Sequence, residues 1–174
     1  ASRMSLSRRS LIGFAAALLI LVACSTPPPP EHTIYLVRHA EKLAGDDPSL
    51  TPAGAERAAL LAETLRDAGI VRIYSTDYAR TRETAAPIAK AVSVSVTLYD
   101  PSDLSAFADK LKEEAGIVLV VGHSNTTPAL VEFLGGEPHT DIDEAAEYDR
   151  LYVVRIQGDQ VEAELLRYGA PFQP

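Results

Sequence analysis

The chain has 174 residues, 47% of them hydrophobic and 23% charged. That is enough for one domain with a proper core, and it is not the make-up of a disordered or fibrous polymer. The formal net charge of −8 excludes binding to nucleic acid or anionic lipid through bulk electrostatics, so any anion site must be a local gathering of arginine and histidine. A single cysteine, Cys24, excludes an intrachain disulfide.

In chain order, Arg8 and Arg9 precede an apolar run from Leu11 to Ala23. The run is too short to cross a bilayer comfortably as a helix and fits the core of a secretory signal. It ends in Leu21-Val22-Ala23-Cys24, which resembles the lipobox of bacterial lipoproteins. The resemblance implies cleavage before Cys24 and lipidation of its thiol; a plain secretory signal or an N-terminal membrane anchor is the alternative. Ser7-Arg8-Arg9-Ser10-Leu11-Ile12 also resembles a twin-arginine signal, though paired basic residues are common in ordinary leaders. Ser25, not Asp, follows the cysteine, which favours the outer membrane in a host with two. Pro27 to Pro30 prefer polyproline II, a semi-rigid spacer. The expected organisation is a signal peptide over 1–23, a lipidated cysteine and stalk over 24–31, and a folded domain over 32–170. The expected location is the bacterial cell envelope, facing the periplasm or the outside.

Residues 32–37 read as a first strand. Thr51 caps a helix that has Pro52 at its first position, carries Ala58, Leu61 and Leu65 on one face, and stops at Gly69. A second strand follows over 70–74, a helix from Arg80 to about Ala91, and a third strand over 93–98. Asp103 opens a helix that Gly116 ends. Ile117 to Val121 is continuously apolar, as a central parallel strand covered on both faces must be. A helix spans 126–134, broken by Gly135-Gly136, and strands over 151–156 and 161–166 flank the turn pair Gly158-Asp159. This β/α alternation with a terminal hairpin predicts a single three-layer α/β/α sandwich with a mostly parallel sheet.

The chemistry sits at the strand tips. The first strand delivers Arg38-His39, the second Ser75 to Thr84 with Arg80, and the central strand Gly122-His123-Ser124. Ligands of open α/β sheets bind outside the carboxyl ends of strands. Arginine's planar fork holds a phosphoryl group, a neutral imidazole can attack phosphorus, and a second histidine can stabilise the charge that develops.

These pieces resemble the histidine phosphatase superfamily, which includes cofactor-dependent phosphoglycerate mutase. Arg38-His39-Ala40 stands for the family's Arg-His-Gly. Leu50-Thr51-Pro52-Ala53-Gly54 resembles its Leu-Thr-x-x-Gly helix start, Ser75 to Thr84 its Ser-x-x-x-x-Arg-Ala-x-Gln-Thr segment, and Val120 to Ser124 its second-histidine strand. The resemblance covers about residues 31–170. It implies the phosphoglycerate mutase-like fold, His39 as the phosphorylated nucleophile, a phosphate pocket of Arg38, Arg80 and His123 with Ser124 beside it, and no metal or other cofactor. The family's proton donor is harder to place: Asp100, in the short segment Tyr99 to Asp103, is the best-placed candidate. Glu41 is expected to order the loop after the nucleophile, Arg82 to lie at the rim, and His32 and His139 to be incidental. Ser124-Asn125-Thr126-Thr127 is expected to cap the following helix before lining the site.

With no long capping insertion the pocket should be open, similar to that of the short bacterial phosphohistidine phosphatases. The shortened loops leave little to hold a mutase's bisphosphorylated cofactor. The expected protein is a monomeric, lipid-anchored phosphatase acting on a phosphorylated small molecule, an envelope phosphate or a phosphoprotein. The competing readings are a non-catalytic phosphate- or phosphopeptide-binding module on the same fold, and a structural envelope lipoprotein.

Overall fold

A computed structural model describes residues 32–174; the export segment, Cys24 and the proline stalk lie outside the described residues. Ten elements follow in order: β1 (His32–Arg38), α1 (Pro52–Leu65), β2 (Ile70–Ser75), α2 (Ala79–Val92), β3 (Val96–Leu98), α3 (Leu104–Glu113), β4 (Gly116–Gly122), α4 (Thr126–Phe133), β5 (Arg150–Gln157) and β6 (Gln160–Arg167). They form one sheet of order β3-β2-β4-β1-β5-β6. The β3, β2, β4 and β1 strands pair in parallel, while the β1/β5 and β5/β6 pairs are antiparallel.

Side chains of a strand alternate between faces, so an apolar run must be covered on both. Ile34 and Leu36 of β1 join Val118 and Val120 of β4 beneath Phe107, Leu111, Leu130 and Val131 of α3 and α4. On the opposite face Val37, Ile73, Leu119 and Val121 pack on Leu61, Leu65, Ala85 and Ile88 of α1 and α2. These two clusters are the cores of the expected sandwich, and each fully buried aliphatic side chain contributes roughly 1.5–3 kcal/mol to it.

Element boundaries follow local chemistry. Thr51 Oγ1 accepts from Gly54 N at 3.0 Å, the expected cap of α1. Asp103 does the same for α3, accepting from Ala106 N at 3.1 Å. The third strand is shorter than the reading from Ser93: Ser93 adopts the left-handed conformation (φ 57°) that closes α2, so pairing begins only at Val96.

Glu41 orders the loop after β1, as expected. Its carboxylate receives Arg57 Nε at 3.0 Å and Nη2 at 2.8 Å, and its carbonyl receives Thr51 N at 2.9 Å. Arg57 also donates to Tyr168 O and Ala170 O, which ties α1 and the C-terminal segment to the loop after β1. Gly54 is required by this contact, because a Cβ there would lie 2.1 Å from Glu41 O. Gly54→Ala is therefore expected to destabilise the protein by about 1–3 kcal/mol, read as a lowered urea midpoint with unchanged slope; a wild-type midpoint would show that the loop yields.

Candidate active site

Arg38 pairs with Gly122 in the β1/β4 register, and His39 N donates to Gly122 O at 2.9 Å. The residues just beyond that pair, His39 and His123, therefore emerge at adjacent strand tips, with ring centroids 5.6 Å apart. Gly122 admits no side chain, since a Cβ would meet Thr126 Oγ1 and Tyr99 Oη at 2.9 Å. The sheet thus brings together what the sequence separates by more than eighty residues.

The His39 ring is buried and its Nδ1 lies 2.7 Å from Ala40 O. A carbonyl only accepts, so Nδ1 carries the proton and Nε2 keeps its lone pair. Burial, reinforced by the charges of Arg38, His123 and Arg80 and opposed by the Ala40 carbonyl, lowers the His39 pKa to about 3. The ring is therefore neutral across the physiological range. Ala40 is held by its own amide, which donates to Thr84 Oγ1 at 2.9 Å. Ala40 is absent from the positive-φ residues, so alanine fits where the family pattern has glycine.

His123 Nδ1 faces Arg80 Nη2 at 3.5 Å, and its Nε2 faces Thr76 Oγ1 at 2.9 Å. Arginine only donates, so Nδ1 accepts and Nε2–H donates to Thr76, whose hydroxyl passes on to Thr81. Burial first, then Arg80 and Arg38, brings the His123 pKa down to about 4. Tyr78 packs edge-on to this ring at 5.1 Å and lies under the Arg80 guanidinium at 4.4 Å. Arg80 Nε is buried without a partner, and Asp47 stands 3.8 Å from its Nη1.

Arg38 is buried beside this pair but is differently engaged. Its Nη1 donates to Asp143 O and Glu147 O at 3.1 and 2.8 Å, and its Nη2 to Glu144 O at 2.5 Å. The guanidinium lies 4.0 Å over the Tyr148 ring, and its buried Nε has no partner. Arg38 thus spends its fork on the 143–147 loop and supplies positive potential to both histidines, whose pKa values it lowers.

The cleft has a volume of about 390 Å³ and is lined by His39, Lys42, Tyr78, Arg80, Pro101, Ser102, His123, Ser124, Asn125, Thr126 and Glu144. Ser124 is in the lining, as expected. Asn125 makes no capping bond, and Thr126 Oγ1 accepts from His123 N at 2.9 Å, so this run lines the cleft and fixes His123 more than it caps α4. Asp100 is not in the lining. Its carboxylate is fully exposed, accepts from Ser102 N at 2.8 Å, and borders a neighbouring depression that shares Tyr78, Pro101 and Ser102 with the cleft. Arg82 pairs with exposed Asp77 at the rim. His32 is a buried clamp between Leu111 O and Gly116 O, each at 2.6 Å. His139 lies outside the cleft, on the wall of an adjoining cavity. Lys42, Thr76, Tyr78, Glu144 and Tyr148 were not singled out by sequence. Thr76 and Tyr78 sit inside the motif around Arg80, which was the available signal; Glu144 and Tyr148 fall in a segment without periodicity. Among the described residues, no group of three or more His, Cys, Asp or Glu is placed to hold a metal ion.

Residues 34–101 match the histidine phosphatase superfamily (branch 1). A 76-residue stretch is 40% identical to the probable phosphoglycerate mutase GpmB of Erwinia tasmaniensis; it covers 39% of this chain and 35% of that protein, so the chain matches about a third of its relative's length. A protein from Nakamurella multipartitia assigned as phosphohistidine phosphatase SixA superposes with TM-score 0.60 at 26% identity, over 83% of this chain and 99% of its own. The protein histidine phosphatase SixA solved with tungstate (TM-score 0.61, 19% identity, 78% and 95% coverage) and a Bacillus anthracis phosphoglycerate mutase (0.64, 18%, 80% and 94%) share the fold.

The lowered His39 pKa carries a stability signature. Between pH 6.5 and about 3 the unfolded chain binds a proton at residue 39 that the native chain refuses, so stability falls as pH drops through that window. In His39→Asn this component is absent. Its loss of unfolding free energy from pH 7 to pH 5 should be smaller than wild type's by about 1–2 kcal/mol, measured by urea titration at both pH values; equal losses would mean a protonatable, solvated ring.

Proposed function

We propose that this chain, which carries a histidine phosphatase superfamily (branch 1) domain, hydrolyses phosphomonoesters or phosphoramidates through a phosphohistidine on His39. The observation that carries the reading is the state of the His39 ring: Nδ1–H is fixed on Ala40 O, Nε2 has no partner among the described residues, and the ring lines a cleft with Arg80 and His123. In the first half-reaction Nε2 forms a bond to phosphorus as the bond to the leaving group breaks. In the second, water attacks phosphorus, the P–N bond breaks, and inorganic phosphate leaves. Arg80, whose Nη2 faces His123 Nδ1, offsets the charge on the equatorial oxygens, and Arg38 adds positive potential from behind the loop.

The likeness to SixA proteins supports phosphohistidine as one substrate class. The residues before the domain support a lipid-anchored enzyme of the cell envelope, with a signal over 1–23 and Cys24 as its anchor. That location favours envelope phosphates and phosphate esters over cytoplasmic phosphoproteins.

Phosphate release from an aryl phosphate, an alkyl phosphate and a phosphohistidine peptide tests the reading. Wild type should turn over at least one of them and carry an acid-labile phosphoryl group. His39→Ala should lose at least about 1000-fold in kcat/KM while retaining phosphate affinity. Folded wild type that neither turns over nor becomes labelled would leave a phosphate-binding module. Labelled palmitate should be incorporated in a bacterial host by wild type and not by Cys24→Ser; labelling of both would remove the anchor.

A further inference from the structure

We propose that Glu144 is the proton donor to the leaving group, an inference that rests on the phosphohistidine reading above. Glu144 is the one carboxylate among the described residues lining the cleft of His39, Arg80 and His123. It also lines an adjoining cavity of about 440 Å³, which shares Ser124 and Asn125 with the cleft and extends past Pro128 to His139. A side chain on the seam of the two spaces stands where a phosphoryl group seated on the histidines joins the rest of its substrate.

The position is held by the backbone. Glu144 O accepts from Arg38 Nη2, and the flanking Asp143 and Glu147 carbonyls accept from Nη1. The residue preceding the nucleophile thus fixes the segment that carries the acid. Glu147 anchors the far end of that segment, taking Arg150 Nε at 2.6 Å and Arg167 Nη1 at 2.7 Å. Asp100, the donor expected from the sequence, accepts from Ser102 N and is not among the residues lining the histidines' cleft.

The proton balance closes. As His39 Nε2 bonds to phosphorus and the P–O bond breaks, the Glu144 proton moves to the leaving oxygen and releases a neutral alcohol. The resulting carboxylate then takes a proton from the water that attacks phosphorus, which restores Glu144 and frees His39.

The test uses the full chain as wild type, Glu144→Gln and Asp100→Asn, with kcat/KM measured on p-nitrophenyl phosphate and on glycerol phosphate. This parameter reports the step that cleaves the ester. A p-nitrophenolate leaves without protonation, whereas an alkoxide requires it. Glu144→Gln should lose at least about 100-fold on glycerol phosphate and less than about 10-fold on p-nitrophenyl phosphate. Glu144 is exposed, so the amide variant should unfold at the wild-type temperature. An unchanged alkyl-to-aryl ratio in Glu144→Gln, or its collapse in Asp100→Asn alone, overturns the assignment and leaves the phosphohistidine reading standing. Wild type inactive on both esters and on a phosphohistidine peptide overturns the two together.

Discussion

The parallel pairing of β1 with β4 is the constraint on which the site depends. Its register sets Arg38 against Gly122, so one residue further on the chain presents two imidazoles side by side. Both strands lie in the interior of the sheet, covered on both faces, and their tips inherit that burial. The burial does the chemical work. It keeps His39 and His123 neutral where solvent-exposed imidazoles would begin to protonate, and the neighbouring arginines add to the same effect. One packing decision therefore sets two neutral imidazoles side by side, next to the Arg80 guanidinium.

Arg38 is buried with its charge, and no carboxylate meets it directly. Three backbone carbonyls and the face of Tyr148 do so instead. A guanidinium neutralised by carbonyl dipoles keeps its net positive potential, whereas a salt bridge would cancel much of it. The carboxylates of the same neighbourhood are spent on other cations. Burial alone would raise the Glu147 pKa, but bonds from Arg150, the Asp143 amide and Arg167 bring it to about 2. The potential at the histidines thus stays positive inside a chain of net charge −8.

The sandwich was legible because each of its signals is local. Thr51-Pro52 announces α1, Gly69 and Gly116 end helices, and the Ile117–Val121 run can only be a doubly covered strand. The order of strands was not legible, since it depends on which apolar surfaces meet across long stretches of chain. The histidines and Arg80 were legible because tight geometric demands leave a pattern: Gly54 must clear Glu41 O and Gly122 must clear Thr126 and Tyr99. The segment 137–149 left no such trace. It has no periodicity, and it is ordered by Arg38, Arg150 and Arg167, cations drawn from β1, β5 and β6. What sequence reading assigned to Asp100 rested on chain position alone, and one Asx-type bond to Ser102 N is enough to turn that carboxylate outward.

That difference explains why a short member of such a fold can place its functional groups unequally. His39 and His123 stand on strand tips, where the sheet allows little variation. Other lining groups stand on connections, here the 99–102 turn and the 137–149 segment, which reach the cleft through Ser102 and Glu144. Connections tolerate change in length and composition far better than sheet registers do. The wall bearing Glu144 also carries Asp141 and Glu132 into the adjoining cavity. The adjoining cavity is therefore lined by three acidic residues, whereas the cleft beside it carries Arg80 and Lys42.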